Sequence, residues 1–144
     1  QLIKIMCNSI VSDKDAKFMT ADIKDFYLGT PLLPSPEYMR INLDHIPEDI
    51  ITKYNMRDYA HNNAVVVEVN KGIYGLPQAG RLAQDRLIKH LARHGYHQAA
   101  NTPCLFKHES NSVAFALVVD DFGIKYTHKA DADHLRELYI MTEL

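Results

Sequence analysis

The sequence predicts an α+β fold in which one antiparallel sheet packs with helices on one face. Segments with helical spacing and segments rich in β-branched residues occur in one chain of 144 residues, a length that fits a single domain with a sizeable core. The apolar runs at 113–119 and 122–126 follow each other closely enough to form a β-hairpin. Helices and an antiparallel sheet would therefore share one core.

The first half of the chain alternates between helix and strand. The apolar stretch at 2–11 predicts a helix, and the three prolines at 31–37 predict an extended loop. A short helix should follow Pro47, which suits a first helical turn. Strands are predicted at 17–24, 37–43 and 64–70.

The second half contains the longest predicted helix. Between Arg81 and Arg93, apolar residues recur at helical spacing, and Gly95 should end that helix. We interpret 101–112 as a loop, 113–119 as a buried strand and 122–126 as its hairpin partner. Thr127 should cap a last helix that runs to about Tyr139 with Ala132, Leu135 and Leu138 facing inward.

Composition restricts the function classes. Hydrophobic residues make up 47% and the formal net charge is −2, so the chain resembles an ordinary globular protein and not a basic nucleic-acid binder. Carboxylates that bind metal ions would also lower the net charge. No window has the length of a membrane span, so we expect no membrane partner. Cys7 and Cys104 are expected to be buried, reduced thiols, which suits an intracellular protein.

Four carboxylates suggest chemistry. Asp22 and Asp25 lie near the end of a predicted strand, and Asp120 and Asp121 lie where the apolar run breaks. At a hairpin tip, both members of the Asp120–Asp121 pair can face a common site. Unpaired buried charge is costly, and a divalent cation would compensate for it. Two Mg²⁺ ions held by Asp22, Asp120 and Asp121 would suit phosphoryl transfer.

Two other interpretations of the acidic pair remain. The first is a solvated turn. The second is the acidic strand end of a response-regulator receiver, but that fold needs more chain after the pair than the 23 residues that follow Asp121.

Five segments in order resemble a reverse transcriptase, closest to the copia type of LTR retrotransposon. They are TADIKDFYLGTPL at 20–32, EYMRI at 37–41, KGIYGLPQAGR at 71–81, GYHQAANTPCLF at 95–106 and FALVVDDFGIKY at 115–126. The segment at 71–81 is the most specific of them. The resemblance implies a palm-like antiparallel sheet with part of the fingers, and one partial reverse transcriptase domain over 1–144. Because the sequence starts at Gln1, we interpret it as a piece of a longer Pol polyprotein without thumb or RNase H.

The resemblance also implies roles for individual residues. Asp22, Asp120 and Asp121 would be catalytic and would hold two Mg²⁺ ions, which Mn²⁺ can replace, with the backbone carbonyl of Ile23 as a further ligand. Template and primer would contact Leu76, Pro77, Gly80 and Val118. The incoming nucleotide would lie near Tyr27, Gln78 and Asp25. The implied partners are an RNA or DNA template with its primer, deoxynucleoside triphosphates and the rest of Pol.

One departure weakens the expectation of activity. The family usually has Tyr two positions before the first Asp of the pair, and this chain has Val118, which offers no hydroxyl and little stacking area. An inactive remnant that serves as a binding or structural piece is therefore the alternative function. We also expect the isolated 144 residues to be nearly inactive, because positioning of substrates supplies much of catalysis.

Two further groups of side chains have alternative roles. His90, His94, His97 and Cys104 could form a zinc site, although their spacing matches no zinc motif and a polar helix face is the simpler interpretation. A basic cluster could contact template phosphates or could serve only solubility. Its members are Lys71, Arg81, Arg86, Lys89 and Arg93.

Overall fold

The computed structural model describes residues 2–32 and 37–140. Its α-helices are α1 (Leu2–Val11), α2 (Glu48–Lys53), α3 (Pro77–Arg93) and α4 (Lys129–Ile140). Two short 3₁₀ helices span Leu43–His45 and Met56–Tyr59. The strands are β1 (Lys17–Asp22), β2 (Glu37–Asn42), β3 (Ala64–Val69), β4 (Tyr96–Gln98), β5 (Leu105–His108), β6 (Ala114–Val118) and β7 (Asp121–Tyr126).

The main sheet has five strands in the order β1-β7-β6-β5-β4, and every neighbouring pair is antiparallel. The hairpin of β6 and β7 therefore occupies the centre, and β1 pairs with the strand most distant from it in sequence. An antiparallel sheet of this kind is incompatible with the parallel sheet of a receiver domain.

The main core lies between one face of this sheet and the helices α3 and α4. The hairpin contributes Phe115, Leu117, Phe122 and Ile124, which alternate with residues of the opposite face. The helices contribute buried residues at helical spacing, namely Ala83, Leu87 and Leu91 from α3 and Leu135 and Leu138 from α4. The predicted α+β class is confirmed.

Helix α1 packs on the other face of the sheet. Lys125 alternates with the buried Ile124 and so points away from the main core. Its ammonium donates to the Ser9 carbonyl and hydroxyl at 2.9 Å and forms an ion pair with Asp13 at 3.0 Å. The hydrogen bond from Lys125 holds the pKa of Asp13 below its ordinary value. The prediction that the helices pack on one face of the sheet is thus correct for α3 and α4 but not for α1.

A smaller sheet joins β2 and β3, with its own core of Leu43, Ile51 and Val65. Backbone hydrogen bonds connect the segments that follow β1 and β3. The Leu32 amide donates to the Asn70 carbonyl at 3.0 Å, and the Gly72 amide donates to the Thr30 carbonyl at 2.8 Å. These bonds fix the entry to α3 beside the turn that follows β1.

Several predicted boundaries need correction. Helix α3 begins at Pro77, four residues before the predicted start, because proline is well tolerated in a first helical turn. The predicted loop 101–112 contains β5, whose pairing with β6 no local pattern indicates. Strand β4 was also missed. Thr127 does not begin the last helix, which starts at Lys129; its hydroxyl donates to Ser112 Oγ at 2.6 Å.

Residues 33–36 of the loop predicted at 31–37 lie outside the described part of the structure. The side chain of Tyr139, at the predicted end of the last helix, also lies outside it. Both cysteines are free, but the prediction that they are buried is wrong: Cys7 is exposed on α1 and Cys104 is half-buried. Within the described ranges, no helix has the length and apolar character that crossing a membrane requires.

Candidate functional site at the acidic hairpin tip

The last residue of β1 and the first residue of β7 face each other. Asp22 is the direct cross-strand partner of Asp121, and the Ile23 amide donates to the Asp120 carbonyl at 3.2 Å. Directly opposed residues of an antiparallel pair have Cβ atoms about 4.5–5.5 Å apart and point to the same face. The fold therefore brings together Asp22 and Asp121, two of the three carboxylates predicted to share one metal site, whereas Asp120 is joined to β1 through its backbone carbonyl.

The hairpin that carries Asp120 is tight. Val118 pairs with Asp121, so only Val119 and Asp120 form the loop. Val119 has φ 61°, a left-handed conformation that disfavours β-branched residues and that glycine usually adopts at this place in a two-residue loop. Such backbone strain is typical of functional sites. Val118 and Val119 are 49% and 53% exposed, so neither stabilises the tip by burial.

The electrostatics of the tip favour a cation. Asp22 and Asp121 are exposed, Asp120 is half-buried, and like charges directly opposite each other destabilise a strand pair. Carboxylate oxygens are the ligands that Mg²⁺ prefers, so the donor set fits that ion. In the part of the chain that the structure describes, however, no group of three or more His, Cys, Asp or Glu side chains is arranged to hold a metal ion. The facing pair Asp22 and Asp121 is thus the core of the candidate site.

A turn over residues 24–29 follows Asp22. Asp25 has φ 53° and is exposed, and its carbonyl accepts the Gly29 amide at 3.0 Å. Ile23 and Phe26 are buried in the main core, and their burial anchors the turn. The chain therefore changes direction between Asp22 and Tyr27.

Tyr27 lies against the start of α3. Its ring meets the Tyr74 ring edge-on, with centroids 4.8 Å apart, and a Cβ built at Gly80 would be 3.7 Å from Tyr27 Cε1. Tyr27 is half-buried and packs against two core clusters. The structure thus brings together two of the predicted substrate-contacting residues, Tyr27 and Gly80.

The other residues at the start of α3 that are predicted to contact substrates differ in how accessible their side chains are. Gln78 donates from Nε2 to Glu37 Oε1 at 2.5 Å, so its amide is engaged by β2. Leu76 is half-buried in the small cluster around Leu32, whereas Pro77 is exposed at the first helical position. Of these three, Pro77 is the most accessible to a ligand.

Most of the predicted basic cluster lines one cleft. Lys71, Arg86, Lys89 and Arg93 face a cavity between α3 and the turn after β1. Arg81 does not line it and approaches Asp85 at 3.9 Å. Lys24 joins the cluster in the structure. No local pattern indicates this, because Lys24 lies far from the other basic residues in the chain.

The zinc alternative is not supported. His90 and His94 have ring centroids 4.8 Å apart, but His97 pairs with Glu109 at 3.3 Å. Among the described residues, no three or more His, Cys, Asp or Glu side chains form a group that could hold a metal ion.

Two other histidines, His108 and His134, lie beside a buried tyrosine. Tyr96 is fully buried, and its hydroxyl lies 3.1 Å from His134 Nδ1. The rings of His108 and His134 lie 4.6 and 6.0 Å from the Tyr96 ring, centroid to centroid. Burial raises the pKa of Tyr96. Burial, followed by the neighbouring His94, lowers the pKa of His90 below its ordinary value.

No protein-family model matches this chain. Searches of curated proteins and of solved structures likewise find no similar protein. The likeness to reverse transcriptases therefore rests on the sequence segments described above.

Proposed function

We propose that the chain is the core of an RNA-directed DNA polymerase, a palm-like domain of a copia-type retrotransposon Pol polyprotein. It would transfer deoxynucleotides to the 3′-hydroxyl of a primer paired with an RNA or DNA template. The pairing of Asp22 with Asp121 carries this proposal, because two like charges are held face to face at a strand end where a divalent cation would stabilise both.

Each residue at the tip would have a distinct task. Asp22 and Asp121 would hold Mg²⁺, with Asp120 and the carbonyl of Ile23 as further ligands. When bound, Mg²⁺ neutralises charge on the phosphate oxygens and favours ionisation of the attacking hydroxyl. The hydrogen bond from the Ile23 amide to Asp120 fixes the hairpin against β1, so the carboxylates are held in position before substrates arrive.

The turn after β1 would bind the incoming nucleotide. Tyr27 is held on one side by Tyr74 and lies beside Gly80, so its ring has little freedom to move. A fixed ring beneath the sugar would exclude a 2′-hydroxyl by steric conflict. Asp25 and Gln78 would lie near the same substrate, and the bond from Gln78 to Glu37 would have to open or reorient for Gln78 to take part.

Paramagnetic Mn²⁺ tests the metal site directly on this chain. Titration should broaden the NMR amide signals of Ile23 and Phe122 before those of the smaller sheet, because paramagnetic broadening falls steeply with distance from the ion. The Asp121→Asn variant should lose this selective broadening, whereas Asp15→Asn, at another exposed aspartate, should retain it. Broadening spread evenly over the protein, or unchanged in Asp121→Asn, would remove the metal site and with it the polymerase proposal.

A non-catalytic retroelement remnant is the second candidate function. Val118 favours it, because the residue beside Asp121 is half exposed and lacks the hydroxyl that the family usually has. Primer extension by a protein that continues this chain into its flanking reading frame separates the two functions. Extension that Asp120→Asn abolishes supports the polymerase, and metal binding without extension supports the remnant.

A further inference from the structure

A cleft with a volume of about 1060 Å³ lies between α3 and the turn that follows β1. Ile23, Phe26 and Leu87 belong both to its lining and to the main core, so it opens on the helix side of the sheet. Asp22 and Asp121 do not line it. The cleft is therefore adjacent to the acidic tip but distinct from it.

The lining is strongly basic although the chain as a whole is acidic. Five of the sixteen lysines and arginines face the cleft, against the carboxylates of Asp25 and Asp85. The basic residues are Lys24, Lys71, Arg86, Lys89 and Arg93. Asp85 is drawn towards Arg81, which does not line the cleft. A concave surface of one predominant charge concentrates the electric field and attracts ions of the opposite charge.

The sequence builds one wall of this cleft from a single helix face. Arg86, Lys89 and Arg93 are spaced by three and four residues, so their side chains project from one side of α3. That side flanks the buried residues Leu87 and Leu91. Seven residues of α-helix rise about 10 Å, so the cations form a line and not a single convergent point.

The opposite wall is fixed by backbone contacts. Lys24 belongs to the turn after β1, and Lys71 forms an isolated bridge with Pro31. The Arg86 guanidinium donates to the Gly29 carbonyl and so ties the helix to the turn. The fold therefore holds the two basic walls in a defined relation.

The side chains of four of these cations have no partner among the residues that the structure describes. For Lys24, Lys71, Lys89 and Arg93, no described carboxylate lies within ion-pair distance, and their side chains donate no hydrogen bond to the described residues. Lysines and arginines kept on the two walls of one cleft repel one another, and an extended polyanion would relieve that repulsion.

We propose that this cleft binds the sugar-phosphate backbone of a single nucleic-acid strand through Lys24, Lys71, Lys89 and Arg93. The line of cations along α3 offers successive contact points to the phosphates of an extended strand. The cleft has the volume of a small-ligand pocket and is too small for a duplex. The aromatic rings of the described lining are the buried Phe26 and the half-buried His90, so base stacking contributes little and binding is independent of sequence. This inference does not depend on the proposed polymerase function.

Fluorescence anisotropy of a labelled mixed-sequence oligonucleotide of about 12 residues tests the proposal, in EDTA so that metal binding plays no part. The Lys89→Glu/Arg93→Glu variant should bind at least about tenfold more weakly, and the slope of log K against log salt should fall by about 1.4 for two lost phosphate contacts. Lys53→Glu/Lys129→Glu is the matched control, because it changes the net charge equally at exposed positions outside the cleft. It should retain most of the affinity and the wild-type slope.

Three results would overturn the proposal: no binding by the wild-type chain, an equal loss in both double variants, or displacement of the oligonucleotide by polyglutamate as readily as by unlabelled oligonucleotide. The last result would assign the cleft to acidic proteins. Lys89→Ala/Arg93→Ala, which introduces no repulsion, should show a smaller loss in the same direction. Circular dichroism of each variant establishes that the fold is intact.

Discussion

Asp22 lies directly opposite Asp121, in the ladder that joins β1 to β7. The two residues come from opposite ends of the chain, and their carboxylates share one face of the sheet at its edge. We expect this arrangement to lower stability in the absence of a cation and to bind a divalent cation when one is present, and both effects can be measured.

Asp121→Asn should stabilise the protein in EDTA and make it insensitive to divalent ions. The substitution removes like-charge repulsion between cross-strand partners and also removes a metal ligand. Thermal unfolding with and without Mg²⁺ or Mn²⁺ measures both effects, since a ligand that binds only the folded state raises the melting temperature. A wild-type melting temperature that does not respond to either ion would contradict the prediction.

Val119→Gly should raise the free energy of unfolding by about 1 kcal/mol, because the left-handed conformation of Val119 carries a cost that glycine avoids. Val118→Gly is the control: Val118 lies in β6, where glycine weakens a strand by roughly 0.5–1 kcal/mol. Urea denaturation of the two variants should therefore give shifts of opposite sign. Shifts of the same sign would mean that the tip is not strained.

Gly72→Ala should destabilise the fold by about 1–3 kcal/mol, the usual cost of overpacking. A Cβ at residue 72 would lie 2.7 Å from the Tyr27 carbonyl oxygen, so the backbone on one side must move. Gly29→Ala serves as the control, because its Cβ would meet backbone oxygens at 3.7 and 3.9 Å, which is ordinary contact. Equal stability of the two variants, measured by urea denaturation, would show that the Tyr27 turn is free to shift.

The free energy of unfolding should fall as the pH drops below about 6.5, and His90→Gln should make this decline shallower. Burial lowers the pKa of His90 below its ordinary value of 6.5, so the unfolded chain takes up a proton that the folded protein resists. The contribution of neutral His90 to the free energy of unfolding is fully present above pH 6.5 and is lost as the pH falls towards the lowered pKa. Urea denaturation across this range measures the decline, and parallel curves for the two proteins would exclude His90 as a source.

Tyr27→Ala should relax sugar selection in an active polymerase that contains this core. Removing the ring leaves room for a 2′-hydroxyl, so incorporation of ribonucleotides should rise relative to deoxyribonucleotides while metal dependence stays the same. Each tenfold change in that ratio corresponds to about 1.4 kcal/mol of lost discrimination. Competition between the two nucleotide kinds measures the ratio; if it stays constant, Tyr27 is a core residue only.

Local patterns in the sequence determined much of the architecture. An apolar stretch predicted α1, helical spacing of apolar residues predicted α3, and apolar runs rich in β-branched residues predicted β3 and the hairpin of β6 and β7. They also marked the hairpin, but they placed its tip at Asp120 and Asp121, one residue too late: Val119 and Asp120 form the loop, and Asp121 is the first residue of β7. Such features depend on neighbours in the chain, which a sequence displays directly.

Only the tertiary structure decided the features that depend on residues far apart in the chain. Strands β4 and β5 carry weak local signals and form because pairing within the sheet satisfies their backbone hydrogen-bonding groups. Lys24 meets the arginines of α3 only after β1 and the helix pack together. Asp22 was a candidate by sequence, but its position opposite Asp121 follows from the register between β1 and β7. A register shift of one residue would turn its carboxylate to the other face, and no local pattern fixes that register.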